Sequence, residues 1–94
     1  MHRAIINAGA LVGANCIINS NSLIEHDAHV GDHCHISTGA ILNGNTSVGM
    51  GAFIGSGAVV KEGVSIGANS LVGMGIVVRH NVDNNEKYVG VTRI

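Results

Sequence analysis

Proline and tryptophan are absent from this chain, and tyrosine and phenylalanine occur once each. With aromatics at 2% and hydrophobic residues at 46%, the core has to be built from aliphatic side chains. Charge is also scarce. Charged residues make up 12% of the chain, the net charge is −1 and the pI is near 6.6. No basic patch exists to hold nucleic acid or an anionic membrane surface, so neither is an expected partner. Two cysteines cannot make the disulfide framework of a small secreted domain. The opening Met1-His2-Arg3-Ala4-Ile5-Ile6 loosely imitates a signal peptide, but Asn7 and Asn15 break the apolar run and no small-residue cleavage site follows. A cytoplasmic protein is the expectation. At 94 residues the chain is one domain at most, and so short a chain commonly leans on oligomerisation.

What the sequence has in abundance is repetition. Counting every sixth residue from Ile6 gives Val12, Ile18, Ile24, Val30, Ile36, Leu42, Val48, Ile54, Val60, Ile66, Val72 and Val78, all aliphatic and without an insertion or deletion. Four residues after each stands a mostly small one, such as Ala10, Cys16, Ser22, Ala28, Cys34 and Ala40. Three residues after each stands Gly, Asn, Asp or His, from Gly9 through Asp27 and His33 to Asn81. These are the types that best tolerate a positive φ.

A period of six fits neither a 3.6-residue helix nor a free hairpin. It fits a short strand followed by a corner with one left-handed residue. The aliphatic and the small residue share even spacing on an extended segment, so both point inward. Three such faces close a triangular coil of eighteen residues. Like residues then stack at i+18, about 4.8 Å apart. The expected fold is all-β: a single-stranded parallel β-helix of about four coils at that spacing. It spans residues 1–82 and leaves 83–94 as a loop and short tail. Ala4 and Ile5 already keep the phase, and solenoids need polar caps, so further N-terminal sequence is expected.

The chemistry concentrates in Ile24–His35, which carries four of the six histidines. His26 falls at a corner, where a side chain can leave the prism. Other corners hold Ala8, Ala14 or Ser20 at that place, so the turn does not need a histidine. Asp27 follows and could orient the ring and raise its basicity. His33 occupies a left-handed corner and reads as structural, and His29 faces outward. Cys16 and Cys34 lie eighteen apart in the inward small column and read as core fillers.

This pattern resembles the hexapeptide-repeat proteins over residues 4–82, and the resemblance implies a left-handed β-helix and a homotrimer with ligand sites in the clefts between subunits. Most such proteins are acyltransferases. Within them, Asn19, Glu25-His26-Asp27, His35 and Gly44 resemble the bacterial sugar-nucleotide N-acetyltransferases and their sialic-acid O-acetyltransferase relatives. That resemblance implies acetyl-CoA as co-substrate and an amino sugar or sugar nucleotide as acceptor. It makes His26 the base, Asp27 its partner and Asn19 a support for the base. His35 would lie near the thioester and acceptor. Gly44 would offer its N–H to the acetyl carbonyl, the cofactor arm would run past the backbone of Ser56 and Met74, and Arg93 would reach a CoA phosphate. The related enzymes also carry an N-terminal α/β domain holding the nucleotide sugar, which this sequence lacks. Their tail ends G-x-P-A-[KR], where this one reads Gly90-Val91-Thr92-Arg93-Ile94.

Two other readings compete. A zinc enzyme like the γ-class carbonic anhydrases would use three histidines across a subunit interface. That family needs a pair five apart, a spacing that His26, His29, His33, His35 and His80 do not supply. A non-catalytic trimeric assembly module is the other.

Overall fold

A computed structural model describes residues 4–89. Its fourteen strands are two residues each and sort into three sheets. The first face stacks Ile5–Ile6, Leu23–Ile24, Ile41–Leu42, Val59–Val60 and Val77–Val78. The second stacks Leu11–Val12, His29–Val30, Ser47–Val48 and Ser65–Ile66. The third stacks Ile17–Ile18, His35–Ile36, Phe53–Ile54, Leu71–Val72 and Lys87–Tyr88. Every pairing is parallel, and the register is i to i+18 up to Val78, as in Ile24↔Leu42 and Leu42↔Val60. This is the β-solenoid the repeat predicts. Fourteen strands at three to a coil make between four and five coils.

The corners explain why six residues suffice for each face. At Asn15, Asn21, Asp27, His33, Asn45 and Asn69, φ lies between 56° and 61°. Gly9, Gly39, Gly51, Gly57, Gly63 and Gly75 take the equivalent places at 68° to 78°. One left-handed residue per corner turns the chain onto the next face, and these residue types carry it at least cost.

The core is the aliphatic ladder. Ile24, Ile36, Leu42, Ile54, Val60, Val72 and Val78 are all fully buried, with Ala28, Ala40, Ala52 and Ala58 filling the inward corners. Each large side chain contributes roughly 1.5–3 kcal/mol by leaving water. The first coil has no layer beneath it among the described residues, and Ile6 is 45% exposed where Ile24 is 0%. Cys16 and Cys34 are free thiols in the inward column. The Cys34 thiol donates to the Gly49 carbonyl at 3.1 Å, and burial pushes its pKa up.

The strict period breaks after Val78, short of the Val82 end read from the sequence, yet the coil goes on past it. Val82 bridges Ile66, and Lys87–Tyr88 pairs with Leu71–Val72, each a step of sixteen instead of eighteen. Two residues are missing from the corner after Val78. Asn81 therefore does not take the left-handed place its spacing gives it; Asn85 does, at φ 61°. Side-chain oxygens knit this shortened coil to the one before. Asn81 Oδ1 accepts from the Ser65 N–H at 2.9 Å, and Asn84 Oδ1 from the Ala68 N–H at 2.8 Å.

Candidate active site

Three faces leave three edges, and the edges sort the chemistry. His26 lies between Leu23–Ile24 and His29–Val30, on the edge joining the first face to the second. Gly44 lies one coil above it on the same edge. Asn19, Ser56 and Met74 lie on the edge joining the third face to the first, and His35 stands on the third face itself. The two groups flank the first face, separated by its width, on the order of 15 Å for a five-residue extended segment.

On the first edge, the exposed His26 ring lies against Gly44. A Cβ added to Gly44 would come within 2.9 Å of both His26 Cε1 and Nε2. The glycine therefore makes the space the imidazole occupies, and it is itself buried under that ring. The Gly44 N–H is bonded to no protein acceptor among the described residues, which leaves a backbone donor beside an imidazole. Asp27 holds the left-handed corner place at φ 59°. Its carboxylate is directed at Gly9, one coil below, and no hydrogen bond joins it to the His26 ring among the described residues. Glu25 accepts from Asn7 Nδ2 at 2.7 Å, so it is tied to the coil beneath.

On the far side of the first face, His35 Nε2 lies 3.1 Å from Asn19 Nδ2. Asn19 thus contacts His35, not His26. The His35 ring also packs on Phe53, with centroids 4.8 Å apart and planes at 57°. Phe53 was not singled out in the sequence, although its place eighteen residues after His35 was a sufficient signal. The Ser56 N–H is bonded to no protein acceptor among the described residues, and Met74 is 78% exposed. Arg93 lies outside the described residues.

The remaining histidines divide as the sequence reads them. His33 is a left-handed corner residue at φ 61° whose N–H donates to the Ala14 carbonyl at 2.9 Å. His29 is exposed on the second face between Leu11 and Ser47. Beside it runs a shallow groove of about 520 Å³, walled by Gly31, Gly49 and Gly67, which includes neither His26 nor His35. That groove holds no partner for His29 that would make it a base, so chemistry and not cavity size places the site. No three of His, Cys, Asp and Glu converge on a metal position among the described residues. No helix there is long and apolar enough to cross a membrane.

The family description "Bacterial transferase hexapeptide (six repeats)" matches residues 9–44, and "Hexapeptide repeat of succinyl-transferase" matches residues 45–79. Among solved structures, the chain is similar to a histidine-to-asparagine mutant of perosamine N-acetyltransferase from Caulobacter crescentus in complex with CoA and GDP-perosamine. Identity is 38% and the TM-score 0.91, over 93% of this chain and 41% of that one. WeeI from Acinetobacter baumannii AYE is 29% identical with a TM-score of 0.77, over 94% of this chain and 52% of that one. Serine acetyltransferase from Neisseria gonorrhoeae is 26% identical with a TM-score of 0.83, over 88% and 36%. The chain thus spans about half the length of these proteins or less. A search of curated proteins finds no match.

Proposed function

The chain belongs to the hexapeptide-repeat transferase family, and from that membership and its edge chemistry we propose that it moves an acetyl group from acetyl-CoA to an amine or hydroxyl of a sugar or sugar nucleotide. The observation that carries the reading is the pairing of His26 with Gly44: a base lying on a glycine whose N–H meets no protein acceptor among the described residues. General-base transfer from a thioester requires both, a proton acceptor for the nucleophile and a donor for the oxyanion. The perosamine enzyme, similar over nearly all of this chain, was solved with CoA and GDP-perosamine, which supports the classes of donor and acceptor.

The reaction is direct transfer in a ternary complex. The acceptor nitrogen or oxygen attacks the thioester carbon as His26 takes its proton. The tetrahedral oxyanion is held by the Gly44 N–H. The C–S bond then breaks, and the CoA thiolate leaves and is protonated. Asp27, next in the chain, places a negative charge near the imidazolium that forms. An acyl-enzyme is not needed: Cys34 is buried and its thiol pKa raised, and Cys16 donates to the Gly31 carbonyl at 3.1 Å.

His35, Asn19, Ser56 and Met74 join this site from a second copy. The outward residues of the first face are Ile5, Leu23, Ile41, Val59 and Val77, an unbroken aliphatic column. The second face shows Leu11, His29, Ser47 and Ser65 in the same positions, polar in all but the first. Three copies that turn their first faces to a common axis bury that column. Each His26 edge then meets the Asn19–His35 edge of a neighbour, and acetyl-CoA lies in the cleft between them, in the cytoplasm where it is made available. Thiol release from acetyl-CoA in the presence of a panel of amino-sugar nucleotides tests the reading. Acceptor-dependent release is expected. Its absence across the panel, with acetyl-CoA also failing to bind, favours the assembly-module alternative.

A further inference from the structure

The two thiols that the transfer chemistry leaves unused stand one above the other. Cys16 and Cys34 directly precede the paired strands Ile17–Ile18 and His35–Ile36, and the Ile17 N–H donates to the Cys34 carbonyl at 2.9 Å. Each thiol makes the same bond. Cys16 Sγ donates to the Gly31 carbonyl and Cys34 Sγ to the Gly49 carbonyl, both at 3.1 Å and both fifteen residues on. Equivalent side chains in adjacent coils are displaced by one strand spacing, so the sulfurs lie about 4.8 Å apart. They are near enough that Cys16 adds to the rise in the Cys34 pKa, of which burial is the larger cause. A disulfide wants Cβ atoms about 3.8 Å apart, and in-register parallel strands hold them about an ångström wider. Two metal–thiolate bonds of about 2.3 Å placed end to end span about 4.6 Å, close to the sulfur spacing. No third His, Cys, Asp or Glu joins the pair among the described residues. Tetrahedral zinc therefore does not fit, whereas an ion satisfied by two soft ligands in line does.

We propose that Cys16 and Cys34 form a linear, two-coordinate site for a soft monovalent ion, copper(I), held between two adjacent coils. Binding takes one proton from each thiol into solvent and forms two S–Cu bonds. No oxidation state changes, and the bis-thiolate complex carries one negative charge. Cys16, the half-buried member of the pair, keeps that charge within reach of water. Neither sulfur serves the transfer reading, so the site stands or falls independently of it. The fold also permits a clean removal of each ligand. Ser22, inward at another corner, donates to the Ser37 carbonyl at 2.8 Å with the same fifteen-residue step. A serine at position 16 or 34 can therefore keep the hydrogen bond and the packing while losing the soft donor.

The test is an anaerobic titration of the reduced protein with copper(I), supplied as its acetonitrile complex, followed by thiolate-to-copper absorption and by X-ray absorption at the copper edge. Saturation is expected at one ion per chain, with two sulfur neighbours, no nitrogen neighbour and both thiols lost to a thiol reagent. Cys16→Ser and Cys34→Ser should each weaken binding by more than the 10–100-fold typical of losing an outer-shell partner, with the melting temperature of the metal-free protein little changed. Binding that survives in the double variant would place the ion on histidines and overturns the proposal. So does saturation at half an ion per chain, which would mean a site shared between copies. Ready formation of an intramolecular disulfide with diamide would show that the sulfurs close on each other, and overturns the spacing on which the linear site rests.

Discussion

At the scale of single residues, His26 and Thr46 make opposite demands on the fold. His26 is exposed and its ring rests on a glycine, so its removal leaves no cavity in the core. General-base assistance typically contributes 10²–10⁴-fold. His26→Ala is therefore expected to lower kcat by about that factor, with the KM for acetyl-CoA and the melting temperature nearly unchanged; full turnover in the variant would mean that another group is the base. Asp27→Asn should lose less, because the imidazole remains. Thr46 is 1% exposed and its Oγ1 is the one fully buried side-chain oxygen without a hydrogen-bond partner among the described residues. Such a group costs about 1–3 kcal/mol. Val64 fills the same inward place one coil on, so a valine fits this column. Thr46→Val should raise stability by about 1 kcal/mol in urea unfolding; a loss of stability would show that the hydroxyl has a partner in solution.

At the scale of the corner and strand, the coils approach each other so closely that some corners exclude a Cβ. One at Gly49 would lie 2.5 Å from the Ala68 nitrogen and 2.8 Å from its Cα, and backbone atoms cannot swing away as a side chain can. Gly49→Ala should cost about 1–3 kcal/mol or more, as overpacking does. Gly57, at φ 69°, has nothing within 4 Å of its missing Cβ, and asparagine holds the same conformation at neighbouring corners. Gly57→Asn should therefore stay within about 0.5 kcal/mol, the usual range for surface changes. If both variants unfold at the same urea concentration, close coil contact is not what selects glycine at position 49. This contrast also marks how far the sequence could be read. The hexad exposes the inward column and the left-handed places, because both are set by local geometry that every coil repeats. It cannot expose the two-residue step after Val78, since Asn81 and Asn85 are equally suited to a left-handed corner and only the pairing of Val82 with Ile66 chooses between them. For the same reason the stacking of Gly44 on His26 was legible from their eighteen-residue spacing, whereas His35 was singled out only through the family resemblance, and the partner of Asn19 and the direction of the Asp27 carboxylate were not legible. Those depend on side-chain rotamers that spacing does not determine.

At the scale of the whole molecule, the two groups proposed as half-sites lie on opposite edges of the first face and do not meet within one copy. His26 with Gly44 and His35 with Asn19 stand on opposite sides of a face whose outward column is aliphatic from Ile5 to Val77. In the proposed ring of three copies, one edge of each would stand against the other edge of the next, and every cleft would take His26 from one chain and His35 from its neighbour. Light scattering at micromolar concentration should give three times the monomer mass. Ile41→Glu, which sets a charge in the middle of the column, should shift that mass toward the monomer while the β spectrum is retained. The decisive measurement is complementation. His26→Ala and His35→Ala are each expected to be poorly active alone. In a cleft that pairs a His35→Ala chain supplying His26 with a His26→Ala chain supplying His35, both groups are intact. Random assembly from an equal mixture gives such a pairing in about a quarter of clefts, the product of two even chances in a heterologous ring. Co-refolded mixtures should recover about that fraction of parental activity, and separately folded proteins mixed without exchange should not. Recovery near zero after verified subunit exchange would mean that both histidines act from a single chain, and the edge-to-edge arrangement would be wrong even if the acetyl transfer were right.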